Sequence, residues 1–382
     1  MSVQSILSQF RAIASDPAGQ KDTYLKNGEK LVLVSPVYTP EEIIHSMGLV
    51  PFGAWGGDLA LNKSKEFFPA FICSVMQSML ELGIAGAYKG ASAIVIPSLC
   101  DSLKCLGQNW KYAVKDIPFI PMTYPQNRNN DAGRAFTKAG YERVIRDLEA
   151  AAGARFSEEK LAESIRIYNA HNAAMRRVSE AVAAHPEVTA SQRRDVFKSA
   201  WFMKKEEHTA LVNELLNALE AGAPSAGRDT IPVMTSGILC DSPSLLEIFD
   251  ELSFRVVADD VAAESRQYRV DAPEDLSPLD APEDLSPLDA LCEKFARMDN
   301  CSVLWDAEKK RAALIVETAK ARGAKGVILA LTKFCDPEEF DVPVIKRACD
   351  TAKLPMALIE VDRQMAGHEQ ARTLLEAFRD VL

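Results

Sequence analysis

Short runs of apolar, often β-branched residues recur along the chain between longer amphipathic stretches. Such runs, bounded by turn residues and followed by helical patterns, predict buried strands of a parallel sheet. We predict eight strands, at residues 30–34, 49–53, 93–96, 118–122, 231–237, 254–258, 326–331 and 354–360. Because the strands alternate with helices in two separate groups of four, the predicted fold is α/β, with two similar doubly wound parallel-sheet lobes.

Residues 132–222 instead repeat apolar positions at helical spacing throughout, which predicts a helical region between the lobes. The predicted organisation is an N-terminal α/β lobe at 1–131, a helical region at 132–225 and a C-terminal α/β lobe at 226–382. Within the helical region we interpret the polar cluster 204–208, KKEEH, as a solvated helix face.

Three smaller features carry local expectations. Thr39 is predicted to cap a helix with Pro40 at its first position, and His45 on that helix is interpreted as structural. Asp259 and Asp260 are expected at the end of the strand at 254–258. The nonapeptide DAPEDLSPL occurs at 271–279 and again at 280–288, and its prolines and acids predict an exposed loop that tolerated a duplication.

Composition narrows the class of protein. The 382 residues are 47% hydrophobic and 26% charged, as in ordinary globular proteins. A net charge of −10 argues against a nucleic-acid partner. No apolar run approaches the roughly 20 residues that span a bilayer, and the start lacks the pattern of a secretory signal, so we expect no membrane association and a cytoplasmic location.

Eight cysteines are the chemically informative residues, and none forms a CxxC pair. That spacing excludes a zinc ribbon or a ferredoxin-type loop, and a disulfide framework is not expected in the cytoplasm. Cys100 and Cys335 each follow a predicted strand, where open α/β sheets bind ligands, and Cys73 lies in or at the start of a helical pattern. Taken singly, each could also be a buried inert thiol.

Several common catalytic motifs are absent from the sequence: the phosphate-binding loop GxxxxGK[ST], the hydrolase elbow GxSxG, and a GxGxxG after the first strand. The cysteines remain as the candidate chemistry. Three thiolates from separated loops suit an iron–sulfur cluster, which takes soft sulfur ligands and accepts a fourth ligand that is not protein.

A resemblance to a known family is carried by segments in order along nearly the whole chain. They include SPVYTPEEIIHSMGLVPFGAWGG, FFPAFICSVMQSMLELG, PSLCDSLKCLGQNWK, YPQNR, FMKKEEHT, VVADDVAAESRQYRVDAPEDL, KFCDPEEFDVPVIK and EQARTLLEAF. In these segments the chain resembles the smaller, β-type subunit of the 2-hydroxyacyl-CoA dehydratases of anaerobic fermenters. The second copy of the nonapeptide departs from that pattern.

The resemblance implies a function and a set of partners. The chain would be part of a lyase that removes water from an (R)-2-hydroxyacyl-CoA through a ketyl radical, and a [4Fe–4S] cluster on Cys73, Cys100 and Cys335 would relay or store the electron. The implied partners are a larger α-type subunit, an iron–sulfur ATPase activator and the substrate at the subunit interface. Flavin (FMN or riboflavin) in the holoenzyme stays open, the acyl group is undetermined, and no catalytic residue is assigned.

Alternative ligands and functions stay open on the sequence. Cys105 is the main rival ligand, but five residues after Cys100 it is expected to point away. Cys240 keeps a smaller chance, and the rest are interpreted as structural: Cys292, Cys301 and Cys349. A benzoyl-CoA-reductase-type subunit and a non-catalytic iron–sulfur assembly factor are the competing functions.

Overall fold

A computed structural model describes residues 1–222, 229–274, 285–364 and 367–382 of the chain. It contains two four-stranded sheets in which all paired strands are parallel, which confirms the predicted α/β fold class. The strands are β1 (Leu31–Val34), β2 (Val50–Gly53), β3 (Ala93–Pro97), β4 (Phe119–Met122), β5 (Ile231–Gly237), β6 (Phe254–Val261), β7 (Gly326–Thr332) and β8 (Met356–Val361).

Helices connect and flank the strands, and short 3-10 turns lie at Lys63–Glu66 and Ser265–Tyr268. The helices of the described residues are α1 (Val3–Ser15), α2 (Pro17–Lys26), α3 (Glu41–Ser46), α4 (Ser74–Ile84), α5 (Asp101–Ala113), α6 (Asp131–Ala152), α7 (Glu158–Ala184), α8 (Ala190–Ser199), α9 (Lys205–Ala221), α10 (Pro243–Glu251), α11 (Pro287–Arg297), α12 (Arg311–Ala321), α13 (Asp336–Thr351) and α14 (Glu369–Val381). None of these described helices is long and apolar enough to cross a membrane.

The two sheets share one strand order. The first is ordered β2-β1-β3-β4 and the second β6-β5-β7-β8, so in each sheet the first strand lies between the second and the third. The chain therefore winds outward in opposite directions from the first and third strands. In open parallel sheets, ligands bind at the carboxyl ends of the two strands where the winding reverses.

A buried cation links the two sheets, which also share one hydrophobic cluster. The Nη1 atom of Arg363, two residues beyond β8, lies 2.9 Å from Asp58 Oδ1 and 2.9 Å from Asp241 Oδ1. Its Nη2 donates to the carbonyl oxygen of Trp55 at 3.2 Å. Trp55 in turn stacks on Trp201 with ring centroids 4.9 Å apart. The N-terminal sheet, the C-terminal sheet and the helical segment are thus joined at one place.

Packing also crosses the predicted segment boundaries. α1, at the start of the chain, packs against α8 and α9. α11, from the C-terminal part, packs against α6 and α7 beneath the first sheet. Each of these helices buries its apolar face against helices that are far away in sequence. The hydrophobic cores therefore do not coincide with the predicted segments.

Two local predictions were wrong. Thr39 does not cap α3, because its hydroxyl donates to the carbonyl of Ser35 and the helix begins at Glu41 with Pro40 at the cap position. Asp259 and Asp260 lie inside β6, which continues to Val261, and are not beyond its end. They can be buried in a strand because arginines neutralise them: Arg193 pairs with Asp259, and Arg311 Nε lies 2.8 Å from Asp260 Oδ2.

The polar cluster 204–208 is only partly a solvated face, so that interpretation also needs correction. Lys205 and His208 are buried, whereas Glu206 and Glu207 are exposed. Residues three apart lie on the same side of a helix, and this side of α9 packs inward. Lys205 is satisfied there by the carbonyl of Ala200 at 2.8 Å. His45 is partly buried and its ring bonds Ser164 at 2.9 Å.

The tandem nonapeptide is described at its two ends, while residues 275–284 lie outside the described residues. Both ends are more packed than an exposed loop. Asp271 accepts from Arg176 at 2.7 Å, and Ala272 is buried against Asn169. Leu288 is buried in the first turn of α11. The duplication therefore begins and ends on anchored residues.

Two buried histidines, His171 on α7 and His208 on α9, form a chain whose proton positions are fixed by geometry. His208 Nε2 lies 3.0 Å from the carbonyl oxygen of Val196, which can only accept, so this nitrogen carries the hydrogen. His208 Nδ1 then accepts from His171 Nε2 at 3.0 Å. Burial lowers the pKa of His208 to about 3 and holds the pKa of His171 well below its usual range. Both rings are neutral at physiological pH.

This pair predicts acid sensitivity of the fold. An unfolded imidazole has a pKa of about 6.5, so below that pH the unfolded chain binds protons that the folded chain does not. The free energy of unfolding should fall by up to about 1.4 kcal/mol per imidazole for each pH unit below that value. Urea denaturation of metal-free protein at about pH 7.5 and about pH 5.5 measures this loss. The double variant His171→Gln, His208→Gln should show a flatter profile, and an unchanged slope would contradict the assignment.

Candidate functional site

Three cysteines occupy the same structural position, immediately before a helix. Cys73 is the N-cap residue of α4, Cys100 of α5 and Cys335 of α13. The sequence predicts Cys73 in or at the start of a helix, and in the structure it lies at the start. The helix after Cys100 begins at the next residue, Asp101.

All three thiols line one cavity of about 640 Å³. The cavity lies where the reversal points of the two sheets meet, since the loops after the first and third strands of each sheet contribute to its wall. These are residues 36–37 after β1, 99–102 after β3, 238 after β5 and 334–335 after β7. The parallel-sheet topology thus brings together cysteines that are 27 and 235 residues apart in sequence.

Burial keeps these thiols protonated in the absence of a metal. It raises the pKa of Cys73 to about 12, and the pKa values of Cys100 and Cys335 are raised by the same cause. The backbone N–H groups of the first helical turns oppose this rise, as do those of Val75 and Met76 at Cys73. Each helix start carries a partial positive charge, so three such charges are arranged around the cavity.

This arrangement favours a large anionic group held by sulfur. Thiolates are the ligands of soft metals and of iron–sulfur clusters, and a helix N-terminus stabilises negative charge. Among the described residues, no three His, Cys, Asp or Glu side chains are grouped to hold a single metal ion. In an iron–sulfur cluster each thiolate binds a different iron, so the ligands lie farther apart than those of a single metal ion. The three thiols therefore fit a cluster better than a single ion.

The rim of the cavity is aromatic. Trp305 is 50% exposed, Phe334 37% and Phe340 73%, and all three line the cavity. Phe334 also has a φ of 61°, in the left-handed region that non-glycine residues rarely adopt. Such backbone strain is concentrated at functional sites in proteins. Neither the rim nor the wall at 302–309 was anticipated, because nothing in the local sequence shows that these residues meet the cysteines.

The remaining cysteines lie elsewhere. Cys105 is exposed on α5 and does not line the cavity. Cys240 is buried beside a separate space of about 20 Å³. Cys301 is also buried, and its sulfur accepts from Arg266 Nη1 at 3.3 Å. Cys292 and Cys349 are buried in hydrophobic clusters under the two sheets.

Comparison with known proteins gives one consistent result. Residues 36–382 match the family described as 2-hydroxyglutaryl-CoA dehydratase, D-component. The chain is 42% identical to the (R)-phenyllactyl-CoA dehydratase beta subunit of Clostridium sporogenes, over 98% of both chains. It is 39% identical to lactoyl-CoA dehydratase subunit beta of Anaerotignum propionicum, over 100% of this chain and 99% of the relative.

A third relative, (R)-2-hydroxyglutaryl-CoA dehydratase subunit beta of Acidaminococcus fermentans, is 35% identical over the full length of both chains. One of the subunits of benzoyl-CoA reductase from Thauera aromatica is a more distant match, 25% identical over 93% of this chain and 92% of the relative. The matches extend across both sheets and the helices between them.

The different environments of the cysteines predict an order of reactivity in metal-free protein. A water-soluble maleimide at about pH 8 should modify exposed Cys105 first, partly exposed Cys100 more slowly, and Cys73 and Cys335 last, because burial limits access and suppresses the thiolate. Peptide mass mapping over time gives the order. A Cys105→Ala variant should lose only the fast phase. Modification of Cys73 or Cys335 as fast as that of Cys105 would contradict this description of the cavity.

Proposed function

The chain belongs to the 2-hydroxyglutaryl-CoA dehydratase D-component family, and on that premise we propose that it is the β subunit of a heteromeric 2-hydroxyacyl-CoA dehydratase. The enzyme is a hydro-lyase that converts an (R)-2-hydroxyacyl-CoA to the (E)-2-enoyl-CoA. We propose that Cys73, Cys100 and Cys335 hold a [4Fe–4S] cluster in the cavity. The observation that carries this proposal is that three N-cap thiols from both lobes line one space.

A bound [4Fe–4S] cluster would supply one-electron chemistry. This chain would provide the ligands of the cluster and the electrostatic environment around it. Cys73 and Cys335 must lose their protons to act as ligands, and the starts of α4 and α13 stabilise the resulting negative charge. The cavity wall combines apolar side chains such as Val75 and Met76 with polar ones such as Lys104. We propose that this chain holds the group that relays or stores the electron. We assign no general base to it.

The proposed reaction explains why an electron is needed. In a 2-hydroxyacyl thioester the proton on C3 is not acidic, and hydroxide is a poor leaving group beside an electrophilic carbonyl. One electron added to the carbonyl gives a ketyl radical anion that expels hydroxide; a proton then leaves C3, and the electron is returned. The net loss is one water. The sequence contains no phosphate-binding loop for ATP, which supports a separate ATPase activator as the source of the first electron.

The aromatic rim supports the location of the larger subunit. Exposed aromatic residues are enriched at protein–protein interfaces, where they bury a large area at low entropic cost. Trp305 and Phe340 lie at the open side of the cavity, and Phe71, two residues before Cys73, is 72% exposed. We propose that the larger subunit packs over this rim, with the acyl-CoA at the interface between the two subunits.

The competing functions are less well supported. A benzoyl-CoA-reductase-type subunit would use the same thiols, but the relatives named as dehydratase subunits are 35–42% identical, against 25% for the reductase relative. A non-catalytic assembly factor has no support among these relatives. Eight free cysteines are consistent with the reducing cytoplasm, where we propose that the enzyme acts.

We assign no flavin to this chain. Three other cavities in the described part of the chain have volumes of about 70, 20 and 190 Å³. They are below the roughly 300 Å³ at which pockets for molecules of drug size begin.

Cluster loading gives a direct test of the ligand set. Changing Cys73, Cys100 or Cys335 to Ser should each remove most of the iron and sulfide from protein prepared without oxygen, because a lost thiolate leaves one iron without its ligand. Cys105→Ser is the matched control and should keep near-normal iron and sulfide. An iron-free native preparation, or equal loss in the Cys105 variant, would refute the assignment.

The activity of the same preparation, combined with its partner and activator, separates the candidate reactions. Dehydration of a 2-hydroxyacyl-CoA that needs only catalytic amounts of ATP supports the lyase. ATP-dependent stoichiometric reduction of an aromatic thioester would support the reductase. Cluster content with neither activity would support the assembly factor.

The docking proposal predicts a position-specific loss of affinity. Phe340→Asp should weaken binding of the larger subunit by roughly tenfold or more, since a charge at a buried aromatic contact costs at least about 1.4 kcal/mol. Tyr112→Asp is the control, because Tyr112 is 75% exposed, as Phe340 is at 73%. It lies at the far end of α5, roughly 18 Å along the helix from Cys100. Anaerobic titration calorimetry measures both, and equal effects would contradict the proposed surface.

A further inference from the structure

We infer that Glu338 is a positioning residue for the cysteine cavity, holding the wall at Ser302 against the turn that carries Cys335 and placing a fixed negative charge behind it. The inference rests on the proposed cluster site and goes beyond it, because Glu338 does not itself line the cavity. It acts through Ser302, which does line the cavity.

The geometry at Glu338 links two walls. Its backbone N–H donates to the carbonyl oxygen of Cys335 at 3.0 Å, so the residue belongs to the turn that begins α13. Its Oε1 accepts from the hydroxyl of Ser302 at 2.5 Å. The loop at Ser302 is otherwise separated from α13 by more than 30 residues of sequence, and this carboxylate connects the two.

The second carboxylate oxygen is held from the opposite side. Glu338 Oε2 accepts from Arg311 Nη2 at 3.0 Å. Arg311 is itself fixed by Asp260 at 2.8 Å and by Ser236 at 3.0 Å. The Glu338 side chain is fully buried, so it has no contact with solvent and these hydrogen bonds fix its position. The C-terminal sheet is thereby connected through Arg311 and Glu338 to the loop that faces Cys335.

The charge of Glu338 matters because of where it is buried. A carboxylate three residues after Cys335, out of contact with water, acts through a low effective dielectric and is screened little by salt. Removing it while keeping its size would make the surroundings of Cys335 more positive by one charge. A reduced cluster carries one more negative charge than an oxidised one, so a more positive surrounding favours reduction.

Glu339 provides a matched control. It lies in the same helical turn, its backbone N–H donates to the same Cys335 carbonyl at 3.0 Å, and its side chain is exposed. Glu339→Gln therefore removes the same formal charge as Glu338→Gln, one residue farther along the chain, but from a side chain that is exposed to solvent. Glu338→Gln keeps the shape and loses the charge, and the Gln amide cannot accept from Ser302 and Arg311 at both ends as the carboxylate does.

The test is a redox titration of the cluster in the anaerobically prepared holoprotein, followed by electron paramagnetic resonance. Glu338→Gln should shift the midpoint potential to a more positive value, and Glu339→Gln should leave it near that of the native protein. Equal potentials in all three proteins, or equal shifts in the two variants, would overturn the inference. A native protein without a cluster would instead refute the proposed function.

A second readout covers a Glu338 variant that does not retain its cluster. In metal-free protein, maleimide modification of Cys335 is measured relative to Cys73 in the same molecule. Glu338→Gln should raise this ratio several-fold, as should Ser302→Ala, which breaks the contact without changing charge. Glu339→Gln should leave the ratio unchanged. An unchanged ratio in the Glu338 and Ser302 variants would show that neither positions Cys335 and would overturn the inference.

Discussion

The buried guanidinium of Arg363 is the interaction on which the site depends. The cavity exists only if the two sheets keep a fixed relative position, and they share one buried hydrophobic cluster. Arg363 adds a directional link by pairing with Asp58 of one lobe and Asp241 of the other. Its backbone N–H also donates to Ser74 Oγ at 3.1 Å, directly after Cys73. Removing one partner of a buried ion pair leaves a charge unpaired at a cost of about 3–5 kcal/mol, so a change at Asp241 would disturb the lobe geometry and the Cys73 turn together.

Given that geometry, the convergence of the thiols follows from the chirality of parallel sheets. Right-handed crossovers direct each strand's carboxyl end, and the start of the next helix, toward the same edge. A residue at the junction is an N-cap, which leaves its side chain beside unpaired backbone N–H groups. Cys100 and Cys335 occupy this junction directly after a strand, and Cys73 occupies an N-cap on the same edge. The shared topology and the fixed position of the two sheets together create a positive space lined by the three thiols.

This explains how much the sequence could predict. Strand runs and cysteines beside them are local signals, so seven strands lie within two residues of their predicted bounds, and β6 continues three residues further. The predictions that were wrong, and the features that were missed, depend on residues far away in the sequence. Asp260 is buried in a strand because Arg266 and Arg311 neutralise it, and His208 is buried because His171 shares its hydrogen bond. The cavity wall at Ser302 is likewise defined only by its contact with Glu338.

The shared strand order has an evolutionary reading. Cys100 and Cys335 each follow the third strand of their own sheet, so they are topological equivalents. A symmetric pair of such four-strand units would present one thiol each to a common pocket. A third thiol, Cys73, lies between the second and third strands of one half only, since the corresponding stretch of the other half contributes Ser302 to the pocket. Fusion and divergence of the copies would allow that asymmetry, which a symmetric homodimer could not encode.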